Sequence, residues 1–294
     1  MKERTVGPRD ISWMHIPDGF LTPPVWGTLD AISAPAVAWV ARRAQRDTQD
    51  QRIPLLGVMG AFVFAAQMIN FPVGPGTSGH LLGGTLLAIV LGPAAAALVM
   101  TAILFLQALI FQDGGVLALG ANIFNMALLG VAAGYLPYRL WADKSRSVAI
   151  FAGGAFSVIA SACLALGQLL ISGVPMPRSV LWTSLGLFLI SALIEGAITV
   201  AAVRAIERLN PAWVAGGSQP SSSRALPALA LASLALVVLG TLLASAAPDG
   251  IQRLTAPAHD SAWTLRVIDG VGGLILITVL CFLGGRLIAR RRSA

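Results

Sequence analysis

Charge is what this chain has least of. Only 11% of its 294 residues are Asp, Glu, Lys or Arg, while 56% are hydrophobic, against about 25% charged residues in an ordinary soluble domain. Mean hydropathy is +0.79. Residues 53–112, sixty consecutive positions, carry no formal charge, and a spanning helix needs only about 20. That excludes a water-soluble globular protein and requires several membrane spans in this run alone. Cysteine is nearly absent. Cys163 and Cys281 stand alone in separate apolar runs, which excludes a CxxC metal or redox motif and leaves both expected to be buried thiols. No GxxxxGK[ST] occurs, so ATP hydrolysis through a P-loop is excluded. No HExxH occurs either, and no general base stands beside the histidines described below, which argues against an intramembrane metalloenzyme. A charged-then-apolar leader is also missing. The first apolar run starts near Val25, so the first span is expected to direct insertion itself.

What charge there is follows a pattern. The net charge is +7, but the basic residues form short clusters between apolar runs. This is a topology signal and excludes a nucleic-acid partner. Spans are expected at 25–41, 54–71, 81–91, 93–111, 116–136, 148–171, 180–203, 226–246 and 265–285. The stretch 81–111 is divided at Gly92-Pro93, because an unbroken helix would invert every later loop. With the break, 14 of the 20 basic residues lie on one side (Arg42, Arg43, Arg46 and Arg52; Arg139, Lys144 and Arg146; Arg204, Arg208 and Arg224; Arg286 and Arg290–Arg292). The positive-inside rule makes that side cytoplasmic. The expected class is an all-α, polytopic membrane helix bundle with a seven-helix unit at 14–209 and a two-helix hairpin at 226–294. A Gly/Ser-rich linker at 210–225 separates them, and residues 1–13 form an N-terminal extension.

Three histidines are present, and two of them define the chemistry. His15 lies in Met14-His15-Ile16-Pro17-Asp18-Gly19-Phe20, and His80 in Gly76-Thr77-Ser78-Gly79-His80. The topology puts both on the outer side. Neutral imidazole is the commonest transition-metal ligand. A free Met-His terminus would add the Met14 amine and the His15 amide nitrogen, giving with both rings a four-nitrogen set suited to Ni(II) or Cu(II), with Co(II) tolerated. The 81–91 span is too short for about 30 Å of hydrocarbon. The Gly/Pro-rich segment before it must therefore dip into the protein, which buries His80.

The motifs MHIPDGF, QMINFPVGPGTSGHLLGG, LGPAAAALVMTAILFLQALIFQDGG and LGANIFNMALLG closely resemble the CbiM/NikM family, the metal-capturing membrane subunits of energy-coupling-factor importers for cobalt and nickel. The resemblance covers most of 14–208. It implies Met14, His15 and His80 as ligands of a transported Co(II) or Ni(II), no other cofactor, and an inner-membrane location with the histidine motifs outside and the C-terminus cytoplasmic. It further implies a coupling membrane subunit and two ATPase subunits as partners, with cobalt slightly favoured as a supply for cobalamin synthesis. The hairpin resembles the small PDGLE partner domain, although its motif reads Pro248-Asp249-Gly250-Ile251-Gln252. The extension before Met14 departs from the family. Either the functional start is Met14, or proteolysis exposes it, or the amine ligand is missing.

Other polar residues gain meaning from their apolar setting. Asp18 either accepts from a ligand imidazole or fixes its own Pro-Asp-Gly turn. Gln67, Asn70, Thr77 and Ser78 are candidate loop anchors, with Asn122 and Asn125 on the opposite wall. Glu195, well inside a span, serves either coupling or a tie between helices. His259, in the hairpin's outer loop, is either a transient metal contact or solvated. The small-residue run from Gly153 to Gly167 either packs internally or receives a partner. A non-transporting assembly protein is the remaining alternative function.

Overall fold

The computed structural model describes residues 15–69, 71–74, 77–214 and 225–243, together with Ile275 and Val279. The extension 1–13, Met14, Asn70, His259, Cys281, the 248–252 motif and most of the 265–285 helix lie outside the described residues.

The chain is an all-α polytopic membrane bundle carrying one small hairpin. Helix α1 (Pro23–Asp47) and α2 (Ile53–Gln67) are joined by a 3-10 turn at Asp50–Arg52. Strands β1 (Phe71–Gly74) and β2 (Thr77–Gly79) pair antiparallel, Phe71 opposite Gly79 and Pro72 opposite Ser78. Next come the short helix α3 (Gly84–Leu91) and α4 (Pro93–Leu106), which ends in a π turn at Gln107–Phe111. Helix α5 (Leu119–Asn122) continues through a π segment (Ile123–Gly130) into α6 (Val131–Trp141). Helices α7 (Arg146–Ile171), α8 (Arg178–Leu209), α9 (Pro211–Val214) and α10 (Ala225–Leu243) follow. Among the described residues, four stretches are long and apolar enough to cross a membrane by themselves: Pro93–Phe111, Leu119–Trp141, Arg146–Ile171 and Arg178–Leu209.

The division expected from charge counting is present. Gly92 sits at φ +88°, in the region that glycine alone enters cheaply. Its N–H closes α3 on Ala88, and Pro93 opens α4. Helix α3 is buried from Gly84 to Val90 and touches α2, α4, α6, α7, α8 and α9, so this eight-residue helix lies at the centre.

Small residues let α7 meet its neighbours closely. A Cβ on Gly154 would lie 2.9 Å from the Gly196 Cα of α8, and a Cβ on Gly153 would overlap the Gly134 carbonyl of α6. The front of the small-residue run is thus consumed by internal packing. Cys163, against expectation, is exposed on the outside of α7. In a helix facing lipid an apolar thiol loses nothing by pointing outward.

Two boundaries differ from expectation. The start of the expected linker is helical: the Asn210 side chain caps α9 at the Ala212 N–H (3.1 Å), Pro211 occupies its first turn, and Trp213 is buried. Helix α10 lies against α2 through the buried stripe Ala225, Leu229, Ser233 and Val237. Helix α2 is apolar on all sides and buried nearly throughout because α10 covers the face its neighbours leave.

Gly154→Val should wedge α7 from α8 and destabilise the bundle by about 1–3 kcal/mol. Denaturant unfolding in detergent micelles checks this, and unchanged stability would contradict the close crossing.

Candidate functional site

Four chain segments converge at one end of the bundle: 15–21, 80–83, 112–118 and the start of α5. Their meeting is set mostly by side chains reaching backbone. Asn122 uses its whole amide, its Oδ1 accepting from the Ile16 N–H (2.7 Å) and its Nδ2 donating to the Ile16 carbonyl (3.0 Å). The Gly115 N–H donates to that same carbonyl at 2.9 Å. Asp18 accepts from the N–H groups of Val116 (3.0 Å), Leu117 (2.8 Å) and Ala118 (3.2 Å). Asp18 therefore anchors a loop about a hundred residues away, and among the described residues it is not paired with an imidazole. Asp30 and Ser33 of α1 fasten the Gly120 N–H and carbonyl. Beneath them Ile16 and Leu21 pack with Ala118, Ala121, Ala165 and Leu169.

This docking delivers His15. Its ring stacks on that of His80, with centroids 5.2 Å apart and planes 14° from parallel. Both side chains are buried, at 2% and 9% exposure. The His80 Nδ1 lies 2.9 Å from the Leu81 carbonyl. A carbonyl only accepts, so this contact assigns the proton to Nδ1 and the lone pair to Nε2. The His15 Nδ1 lies 3.4 Å from Asp113 Oδ1.

Asp113 was not singled out from the sequence, although it ends the uncharged run and stands in the Gln112-Asp113-Gly114-Gly115 motif. Its approach depends on local backbone. Gln112 adopts φ 55°, unusual for a side-chain-bearing residue, and turns the chain out of the π turn. Burial raises the Asp113 carboxyl, but the charge of His15, its hydrogen bond and the charge of His80 together outweigh this and bring it down to about 2. A carboxylate held below its ordinary value stabilises the fold above about pH 4, and that contribution is lost as pH falls toward 2.

The His80 side is held from below. Gln67 Nε2 donates to the Leu82 carbonyl at 2.7 Å, and Gln107 Nε2 donates to Gln67 Oε1 at 2.9 Å. Glu195 accepts from the Leu82 N–H (2.8 Å) and the Gly83 N–H (2.9 Å). Thr77 and Ser78 lie in β2, three and two residues before His80. Asn125 does not reach the loops. It pairs reciprocally with Gln168 of α7 (2.8 and 2.6 Å). Among the described residues no three His, Cys, Asp or Glu side chains form a metal-holding group, so the described site offers two imidazoles backed by one carboxylate.

A Cβ on Gly115 would overlap Asp18, and one on Gly114 would press on His15 Cβ at 3.3 Å. Gly115→Ala should therefore release the 15–21 segment. Amide exchange in that segment should rise at least tenfold while α7 and α8 keep their protection, and unchanged exchange would refute the docking.

Residues 15–213 match the family described as the cobalt uptake substrate-specific transmembrane region. A protein of Haloquadratum walsbyi to which metal transport is provisionally assigned is 41% identical over 200 residues, covering 67% of this chain and 92% of that protein. The fused nickel transport protein NikMN of Rhodobacter capsulatus is 32% identical over 229 residues, covering 71% and 66%. A crystal structure of a truncated transition metal transporter superposes with a TM-score of 0.60 at 31% identity, covering 66% of this chain and 98% of that one. With this match over most of its length and the apolar helices described above, the chain is a multi-pass membrane protein of the cobalt uptake substrate-specific transmembrane (CbiM/NikM) family.

Proposed function

We propose that this chain is the ion-capturing subunit of an ATP-driven importer of Co(II) or Ni(II) of the energy-coupling-factor type. The observation that carries the proposal is the stacked pair His15 and His80, buried together at one end of the bundle. With metal–nitrogen bonds of about 2.0–2.1 Å, two imidazoles on one ion at angles of 90–110° have centroids roughly 4.5–5.2 Å apart. The observed 5.2 Å is close enough for both rings to serve one ion, with ring rotation from the near-parallel stack to turn both in-plane lone pairs toward it. Met14, next in the chain, would supply its terminal amine wherever Met14 is the mature terminus, and the His15 amide nitrogen would complete a four-nitrogen set. Asp113 acts through His15, orienting the ring and raising its basicity.

The remaining parts follow from this role. The resemblance to energy-coupling-factor importers implies that two ATPase subunits, acting through a coupling membrane subunit, supply the energy to a chain whose 294 residues carry no P-loop. The basic clusters support a cytoplasmic placement for the end holding Arg52, Arg146 and Arg204, with the histidines facing outward. Cobalt is the slightly favoured cargo, since the family description names cobalt uptake. Asp18, Gln67, Asn70, Thr77 and Ser78 anchor the loops around the ion, and Glu195 couples α8 to that region. The two-helix unit from 226 onward is a partner domain joined by the 215–224 connection.

Uptake of labelled Co(II) under metal limitation should fall to background in His80→Ala, and unchanged uptake would remove the transport-site reading. Asp113→Asn should weaken Co(II) binding by roughly 10–100-fold, as titration of the purified protein would show. Because the ligands must shed protons, affinity should fall steadily as pH is lowered from 7 to 5.5. A flat profile between pH 7 and 5.5 would exclude imidazole ligands.

A further inference from the structure

Helix α3 is held at both ends by charged side chains, and both ties lead to the same neighbouring arm. At its start, Glu195 of α8 binds the Leu82 and Gly83 N–H groups. At its end, one nitrogen of Arg52, Nη2, donates to the Val90 carbonyl (2.8 Å) and to the Trp213 carbonyl of α9 (2.7 Å). Helix α9 follows α8 directly. The path from α3 through Glu195, α8, α9, Trp213 and Arg52 back to α3 is thus a closed brace with two rungs. The acceptor meets the free N–H groups at the N-terminus and the donor meets the free carbonyl at the C-terminus, the groups each helix end leaves unpaired.

The brace bears on His80, which lies two residues before Leu82. Eight helical residues make α3 about 12 Å long, and its backbone bonds make it stiff along that axis. It is buried throughout and crossed on all sides, so its freedom is to slide or tilt as a unit. Either movement shifts the 80–83 segment, and a ligand must sit within about 0.5 Å of its productive place.

We infer that Arg52, at the opposite end of α3 from the histidines, is a positioning residue for His80, acting with Glu195 through α3 as a rigid strut. The inference rests on the capture reading given above. It assigns to a cytoplasm-side arginine a part in ion affinity that its distance from the ion would not suggest.

The test is Co(II) titration of the full-length chain in nanodiscs, read by calorimetry and by the Co(II) d–d absorption band. The variants are Arg52→Met, Arg52→Lys, Glu195→Gln, the Arg52→Met/Glu195→Gln double variant and His80→Ala. Arg52→Met should weaken binding at least fivefold and shift the band, and Glu195→Gln at least tenfold. Arg52→Lys, which can still serve one carbonyl, should recover part of the loss and covers the case in which Arg52→Met fails to fold. A rigid strut makes the two ends interdependent, so the double variant should lose less than the product of the single losses. Binding within twofold of wild type in Arg52→Met (or in Arg52→Lys, if Arg52→Met is unfolded) and in Glu195→Gln would overturn the inference even if thermal stability fell. A double loss equal to the product would overturn it as well. If His80→Ala bound Co(II) like wild type, the capture reading itself would fail.

Discussion

A membrane interior tolerates irregular backbone only where protein supplies every hydrogen bond that water cannot, and that constraint organises this structure. The chain from β1 to the start of α3 leaves helical geometry inside the bundle. Its polar groups are met one by one: the Leu81 carbonyl by the His80 ring, the Leu82 carbonyl by Gln67, and the Leu82 and Gly83 N–H groups by Glu195. Gly83, at φ +75°, makes the turn into α3 and leaves no room for a Cβ beside Val63. An unsatisfied group at this depth would cost a few kcal/mol, and Gln67 and Glu195 sit where such groups must be answered.

The second half of the site obeys the same rule by other means. The 15–21 segment precedes α1 and has no helix to satisfy it, so it borrows the loop 112–118 and the head of α5. Asn122 and Gly115 treat Ile16 much as a neighbouring strand would, and Asp18 treats the 116–118 amides as a capping residue treats a helix start. The imidazole pair is therefore brought together by backbone fastening. Selectivity for an ion of one size would arise from how firmly these fastenings hold the rings apart.

Much of this was legible in the sequence because polarity is rare there. Two histidines placed on the same side of a greasy chain were enough to expect His15 and His80 together, and the distribution of basic residues was enough to expect α3 divided from α4 at Gly92. The partners were less legible. Asp18 and Asn122 act across 98–106 residues, and neither periodicity nor spacing carries information over such separations. Asp113 was not singled out because its role depends on the left-handed turn at Gln112. The docking of α10 on α2 was hidden for a different reason. An all-apolar helix reads the same whether lipid or protein surrounds it, and only the burial of α2 on every face tells which.

Two carboxylates inside or beside the bundle show how one chemical group serves opposite ends. Asp113 stands about a third exposed, 3.4 Å from a ring that can carry charge, and in the proposed capture role its negative charge would lower the cost of bringing a dication to two neutral imidazoles. Glu195 is 1% exposed and faces backbone amides, whose dipoles take up its charge without a counter-ion. Exchanging the two environments would fail both ways. A carboxylate at Asp113 satisfied by amides would have little field left for an ion, and one at Glu195 beside an imidazole would draw a cation into the centre of the bundle. The separation keeps the attraction at the mouth and leaves the interior to hold the strut.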